Sequence, residues 1–162
     1  SQVRAMGRTA RGVRGINLAG EHRLISLIVP KEGGRILTVT EHGYGKRTEN
    51  DEFPAKGRGG KGVIAMSTSS RNGSLVGAVQ VWDGDEMMLI SNQGTAVRTR
   101  VDEVSLLGRN TQGVRVIRTR DGEALVSVSR IAEDDIDAAA PAAVLANDAA
   151  GSESDGIDGT EE

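Results

Sequence analysis

Cysteine is absent from the 162 residues, so no disulfide and no Cys-based metal site is available. That absence fits a reducing compartment. Aromatics are scarce: Tyr44, Phe53 and Trp82 are the whole set. Platforms that stack nucleic-acid bases need aromatic faces, so that mode of binding is disfavoured. No apolar run approaches the ~20 residues of a membrane helix. No secretion signal is visible at Ser1, where the start looks cropped. His22 and His42 stand apart, with no metal-ligand spacing around them.

Basic residues are also missing from one end. All 20 Lys and Arg lie at or before Arg130, against 13 Asp and Glu in the same stretch, a net of +7. Residues 131–162 hold 10 acids and no base. The overall charge of −3 therefore hides a basic body, 1–130, joined to an acidic tail, 131–162. Such asymmetry points to a nucleic acid as partner. The tail is Ala-, Gly- and Ser-rich and is expected to be disordered, since it has too little apolar mass to offset ordering entropy. Two roles stay open for it: an intramolecular mimic competing with DNA for the basic body, or a solubilising extension.

What the body does have is a repeat. Gly-Arg-x-x-x-Gly-Val occurs at Gly7–Val13, Gly57–Val63 and Gly108–Val114, with first glycines 50 and 51 residues apart. The run Ile36 to Gly43 matches Met87 to Gly94 at a step of 51, and Leu24-Ile25, Leu75-Val76 and Leu125-Val126 keep the same phase. A fixed period of this size marks a repeat architecture of roughly two and a half units. Short β-branched runs at 23–29, 35–40, 62–68, 75–82, 86–90, 96–100, 114–119 and 124–128 read as strands. Gly33-Gly34, Asn72-Gly73, Asp83-Gly84 and Asp121-Gly122 carry the chemistry of tight hairpins. About four strands per period is the pattern of a propeller blade.

Gly57 to Gly62 satisfies Gly-x-Gly-x-x-Gly, but a strand rather than a helix is expected after it, which removes the dinucleotide reading. Lys61 is followed by Gly62, so the Walker pattern fails. A glycine-rich basic loop between strands still brings N–H groups and charge close to a DNA backbone. Asp51-Glu52 and Asp134-Asp135 have no nucleophile or histidine converging on them and read as solvated loop charge. Arg98 and Arg100 share a strand face, and Arg118 and Arg120 repeat that spacing.

Glu41-His42-Gly43-Tyr44-Gly45-Lys46-Arg47-Thr48, and Gly108 to Val114 followed by Ile117-Arg118-Thr119, resemble the C-terminal domain of the DNA gyrase A subunit. The resemblance covers essentially residues 1–130. It implies an all-β fold, a β-pinwheel (a propeller-like, here partial, ring of four-stranded blades) that wraps double-stranded DNA around a basic rim. In that family, wrapping directs ATP-dependent negative supercoiling by a type II topoisomerase. The resemblance also implies a bacterial cytoplasmic, nucleoid-associated heterotetramer containing an ATPase partner subunit plus a second A subunit, with ATP and Mg in that parent complex. The family's box reads Gln-Arg-Arg-Gly-Gly-Lys-Gly; Lys56 to Gly62 keeps Arg-Gly-Gly-Lys-Gly but lacks the leading Gln. The family's strand-cleaving tyrosine lies in another domain, so no catalysis is carried over to Tyr44.

The segment is thus expected to bind and bend DNA, without a catalytic residue, metal or cofactor of its own. Arg8, Arg11, Arg14, Lys46, Arg47, Lys56, Arg58, Lys61, Arg98, Arg100, Arg109 and Arg118 are the expected phosphate contacts. The rival readings are the paralogous subunit of topoisomerase IV, which decatenates, a propeller-type protein-interaction platform, and an RNA-binding Arg-Gly segment.

Overall fold

The computed structural model describes residues 3–138. The expected disorder of the tail beyond 138 lies outside the described residues. Two antiparallel sheets make up the body. Strands β1 (Arg35–Thr40) and β2 (Tyr44–Thr48) form a hairpin, with Leu37 opposite Arg47 and Val39 opposite Gly45. The chain then makes a long excursion through the second Gly-Arg loop and returns as β3 (Leu75–Val81) on the other side of β1. The next period repeats this wiring. Strands β4 (Glu86–Ser91) and β5 (Ala96–Arg100) form the hairpin, and β7 (Leu125–Ile131) returns beside β4. The short strand β6 (Val114–Arg115), from the third Gly-Arg loop, crosses back to pair with Tyr44 and Gly45. The first sheet therefore runs β3-β1-β2-β6, and the second β5-β4-β7. Among the described residues no fourth strand covers β5.

The period survives in the backbone. Gly12, Gly62 and Gly113, the second glycines of the three motifs, have φ of 80, 77 and 75°. This is left-handed backbone that glycine adopts without penalty. The expected hairpin at Asp83-Gly84 is instead a junction between sheets. It is a tight turn, with the Asp85 amide on Trp82 O, but β3 leaves from one sheet and β4 enters the other. The true hairpin turns lie at Gly43 and Gly94, 51 residues apart.

Three expected strands are altered. Residues 62–68 are a loop held by one ladder-like bond, Ser67 N to Thr111 O at 3.0 Å. In 114–119 the ladder stops after Arg115, because the amides of Val116 and Ile117 both turn to Gly43 O. A Cβ on Gly43 would stand 2.3 Å from Ile117 O, so this crossing needs glycine. Residues 23–29 form no ladder. By the period they correspond to β3 and β7, and no counterpart of β1 is available to pair with them among the described residues. They lie along β3, where Ser26 Oγ accepts from the Ala78 amide, and Leu27 and Val29 stay exposed.

One core joins both sheets. Leu37, Val39 and Val81 meet Met87, Leu89, Leu125 and Val128, with Val101 and Val104 closing the cluster from the turn after β5. Fully burying side chains of this size contributes roughly 1.5–3 kcal/mol each. The start of the tail, expected to be disordered from 131, is ordered instead: β7 runs to Ile131 and a helix, α1 (Glu133–Ala138), follows with Glu133, Asp134 and Asp135 in its first turn, where acids suit the helix dipole. No described helix is long and apolar enough to cross a membrane.

Two of the three buried charged residues among the described residues, Lys46 and Glu123, each gather a loop. Lys46, expected to contact DNA, is instead fully buried on β2. Its amine donates to Gly108 O at 2.7 Å, Arg109 O at 2.5 Å, and Thr111 O and Oγ1 at 3.3 and 3.2 Å. Its stem and charge are used to hold the third Gly-Arg loop. Burial pushes the amine down to about 8, with Glu52 pulling it back up and Arg109 opposing, so it remains charged at neutral pH. In the second sheet, buried Glu123 accepts from Ser91 Oγ at 2.6 Å, from the Thr95 hydroxyl and from the Arg120 amide at 3.1 Å. These donors hold its carboxyl down at about 2.

Two outcomes follow. Lys46→Met keeps the stem but strips Arg109 O of its donor, whereas Gly108 O and Thr111 O keep Thr111 Oγ1 and the Ser67 amide. Urea unfolding is expected to show a loss of about 1–3 kcal/mol, the cost of a buried unsatisfied group. Glu123 has a folded pKa below its ordinary 4.5, so its stabilisation is present above that value and is lost as pH falls towards 2. Glu123→Gln is expected to flatten the acid limb of a pH–stability profile between about 4.5 and 2. An unchanged limb would mean that the carboxylate is not held by these donors.

Candidate nucleic-acid interface

The three Gly-Arg loops are stitched to one another through their backbones. Gly59 N donates to Gly15 O, and Asn17 N to Gly60 O, both at 2.8 Å, and Ile16 and Gly60 form a parallel bridge. One period later, Ser67 N donates to Thr111 O at the matching positions. The chain leaving each loop thus lies against the next loop. Glycine at positions 59 and 60 keeps side chains out of this seam. The loops consequently present their basic residues in series.

Arg8, Arg11 and Arg14 on the first loop, and Lys56, Arg58 and Lys61 on the second, are all exposed. The third loop differs. Arg109 is half-buried, with its Nε on Glu52 O at 3.1 Å and its Nη1 on Ile64 O at 2.6 Å, and its own amide meets Glu52 Oε2. Its guanidinium fastens the loop to the preceding excursion and is not presented to a ligand. Arg118 is exposed after β6.

The basic pair on β2 is likewise withdrawn. Beyond the burial of Lys46, Arg47 is half-buried, donating to Val104 O at 2.7 Å and Asp83 Oδ1 at 2.6 Å. Asp83 also receives Arg35 Nη1 on both oxygens at 2.7 Å, and these arginines, Arg35 first, hold its carboxyl below the usual range. Arg47 is therefore a structural tie between β2 and the junction at Asp83. Arg98 and Arg100 remain exposed on β5, each beside a carboxylate: Arg98 with Glu86, and Arg100 with Asp102 at 2.5 Å. Exposed pairs of this kind contribute only ~0–1 kcal/mol, so an incoming phosphate can compete for either arginine.

The sequence reading passed over Arg71 and Arg115. Both are exposed guanidiniums gathered on buried Tyr44. Each lies 5.2 Å from the ring centroid, and each donates to the phenol oxygen: Arg115 Nη2 at 2.9 Å and Arg71 Nε at 3.1 Å. Arg115 and then Arg71 hold the phenol below its ordinary pKa. Arg115 was within reach of the repeat, since Arg14 and Arg115 both follow a Gly-Val pair. Arg71 carries no such signal. Among the described residues no group of three His, Asp or Glu is placed to hold a metal ion.

The family model described as DNA gyrase C-terminal domain, beta-propeller, matches residues 1–31, 34–81 and 85–132. The chain is 60% identical over 131 residues to the DNA gyrase A protein of Salmonella typhimurium, a match covering 81% of this chain and 15% of that protein. It is 59% identical over 133 residues to the Pseudomonas aeruginosa counterpart, covering 82% and 14% respectively. The chain thus spans about a seventh of the length of the curated relatives it matches. A solved gyrase A C-terminal domain superposes with a TM-score of 0.72 at 32% identity, over 80% of this chain and 44% of that one. The C-terminal domain of DNA topoisomerase IV superposes at 0.76 with 23% identity, over 83% and 42%, a likeness of fold. With stitched loops, matching blades and a family model spanning most of its length, the chain belongs to the DNA gyrase C-terminal domain family of beta-propellers.

Proposed function

We propose that this chain is a DNA-wrapping segment of a gyrase A protein, bending duplex DNA along its basic loops to direct the negative supercoiling done by the parent enzyme. The observation that carries this reading is the seam between loops, which holds Gly15 to Asn17 of the first loop's exit against Gly59 and Gly60 of the second, while Arg8, Arg11, Arg14, Lys56, Arg58 and Lys61 on those two loops stay exposed. The mechanism is electrostatic. Cations spaced along a curved path neutralise successive phosphates and release counterions. Smoothly bending a 20–30 bp site costs ~1–6 kcal/mol, which several such contacts offset together. The chain's own part is to bind, curve and orient the duplex. Strand cleavage, ATP and Mg belong to the rest of the assembly: an ATPase partner subunit with a second gyrase A protein, in the bacterial cytoplasm at the nucleoid. The identities of about 60% to gyrase A proteins favour gyrase over topoisomerase IV, whose likeness here is one of fold.

Binding to a duplex of about 30 bp is expected to tolerate sequence changes and to fall steeply with salt. Replacing Arg8, Arg11 and Arg14 together by Gln is expected to reduce the slope of log K against log salt by up to about 2.7, near 0.9 per lost phosphate contact. Arg47→Gln is expected to leave the slope unchanged while lowering stability. Anisotropy titrations across a salt series measure both. Equal slopes for the wild type and the triple variant would remove the first loop from the DNA path.

A further inference from the structure

We propose that Arg71 and Arg115, gathered on Tyr44, form one two-guanidinium site for a backbone phosphate of duplex DNA, with Tyr44 as its positioning residue. The proposal rests on the DNA-binding reading above and assigns a specific contact within it. Both arginines donate to the same phenol oxygen, at 2.9 and 3.1 Å, so those two nitrogens are at most 6.0 Å apart. Two like charges held that close are an unfavourable arrangement unless an anion joins them. The ion pairs among the described residues engage Arg35, Arg47, Arg98, Arg100 and Arg130, and neither Arg71 nor Arg115 is among them. The anion is therefore left to be supplied from outside.

The donor geometry suits a phosphate. Arg71 spends only its Nε on Tyr44, and Arg115 only one terminal nitrogen. The remaining N–H groups of both forks are available to phosphate oxygens, which planar guanidiniums bind bidentately. Tyr44 is buried at the start of β2, and its ring restrains two otherwise flexible side chains before any ligand arrives. Ordering side chains in advance lowers the entropic cost of binding.

The site also lies on the track. Arg115 sits in β6, at the exit of the third loop, and Arg71 follows the exit of the second. His42, whose Nδ1 lies 3.2 Å from Arg71 O, is the neighbouring exposed side chain on the hairpin turn. The pair is not repeated. The position one period after Tyr44 is Thr95, whose hydroxyl serves Glu123. A single pinned phosphate on the first sheet would set the phase of the duplex relative to the loops, which as a series of separate cations favour no one register.

The full chain tests this directly. Arg71→Gln and Arg115→Gln are each expected to lower the salt slope of duplex binding by up to about 0.9, and the double variant by about 0.9 and no more, because the two guanidiniums share one phosphate. Tyr44→Phe keeps the ring and both charges but removes the shared acceptor. It is expected to weaken binding severalfold and lower the slope, an effect that a merely structural tyrosine would not produce. Tyr44 is the chain's one tyrosine, so labelling its Cζ gives a single NMR resonance, which is expected to move on adding duplex. Wild-type slopes in the arginine variants, or an unmoved resonance in a chain that binds duplex, would overturn the site. An equal movement with inorganic phosphate at the same phosphate concentration would make it a free-anion site and overturn the phosphodiester assignment. A wild-type chain that binds no duplex would instead overturn the functional reading on which the proposal rests.

Discussion

The contact between the Lys46 ammonium and the carbonyls of Gly108, Arg109 and Thr111 carries the rest of the arrangement. It fastens the third Gly-Arg loop to the second strand of the first sheet. That docking brings Val114 and Arg115 beside Tyr44 and Gly45, and with them the fourth strand of that sheet. It also holds Thr111 where Ser67 can reach it, which continues the seam begun at Gly60. A buried ammonium is expensive to desolvate, and one surrounded by four acceptors offsets that cost with charge-assisted hydrogen bonds. The same lysine therefore closes a blade and aligns the basic loops.

The basic residues divide by what they touch. Arg35, Arg47, Arg109 and Arg130 hold pieces of the fold together. Arg130, for example, stacks 4.5 Å from the Trp82 ring and grips Asp85 with two nitrogens, at 2.5 and 2.8 Å, at the end of the last strand. The arginines and lysines of the first two loops face outward. A net charge of +7 for the body consequently overstates what a polyanion meets. This division explains how a strongly charged, aromatic-poor chain still assembles a core: several of its cations are spent on carbonyls and carboxylates inside the fold.

Much of this was legible in the sequence, and the exceptions have physical causes. The 51-residue step located the loops, the paired strands and the left-handed glycines, because identical local chemistry gives identical local backbone. Asp83-Gly84 was misread as a hairpin because a turn dipeptide reports two φ angles, whereas sheet membership is decided by which strand returns beside β1. Residues 62–68 look like a strand by composition, but their neighbours offer one backbone-to-backbone hydrogen bond and no ladder. Lys46 and Arg47 read as a surface pair because their acceptors lie 36 to 65 residues further on. Arg71 has no counterpart in the other repeats, and only the folded chain brings it to Tyr44.

The loan of β6 from one repeat to the sheet of the previous one imposes an order in time. Lys46 leaves the ribosome 62 residues ahead of Gly108. At about 5–20 residues per second, that leaves β2 without its last neighbour for roughly 3–12 s. An open strand edge invites pairing with any other chain, and lysine is the residue that most discourages it. The cation that later locks the third loop thus first serves as a guard on an unfinished sheet. Arg98 and Arg100 stand in the same relation to β5, whose edge no described strand covers. A fold assembled by successive loans needs its charges twice, once to keep each edge solitary and once to receive the strand that completes it.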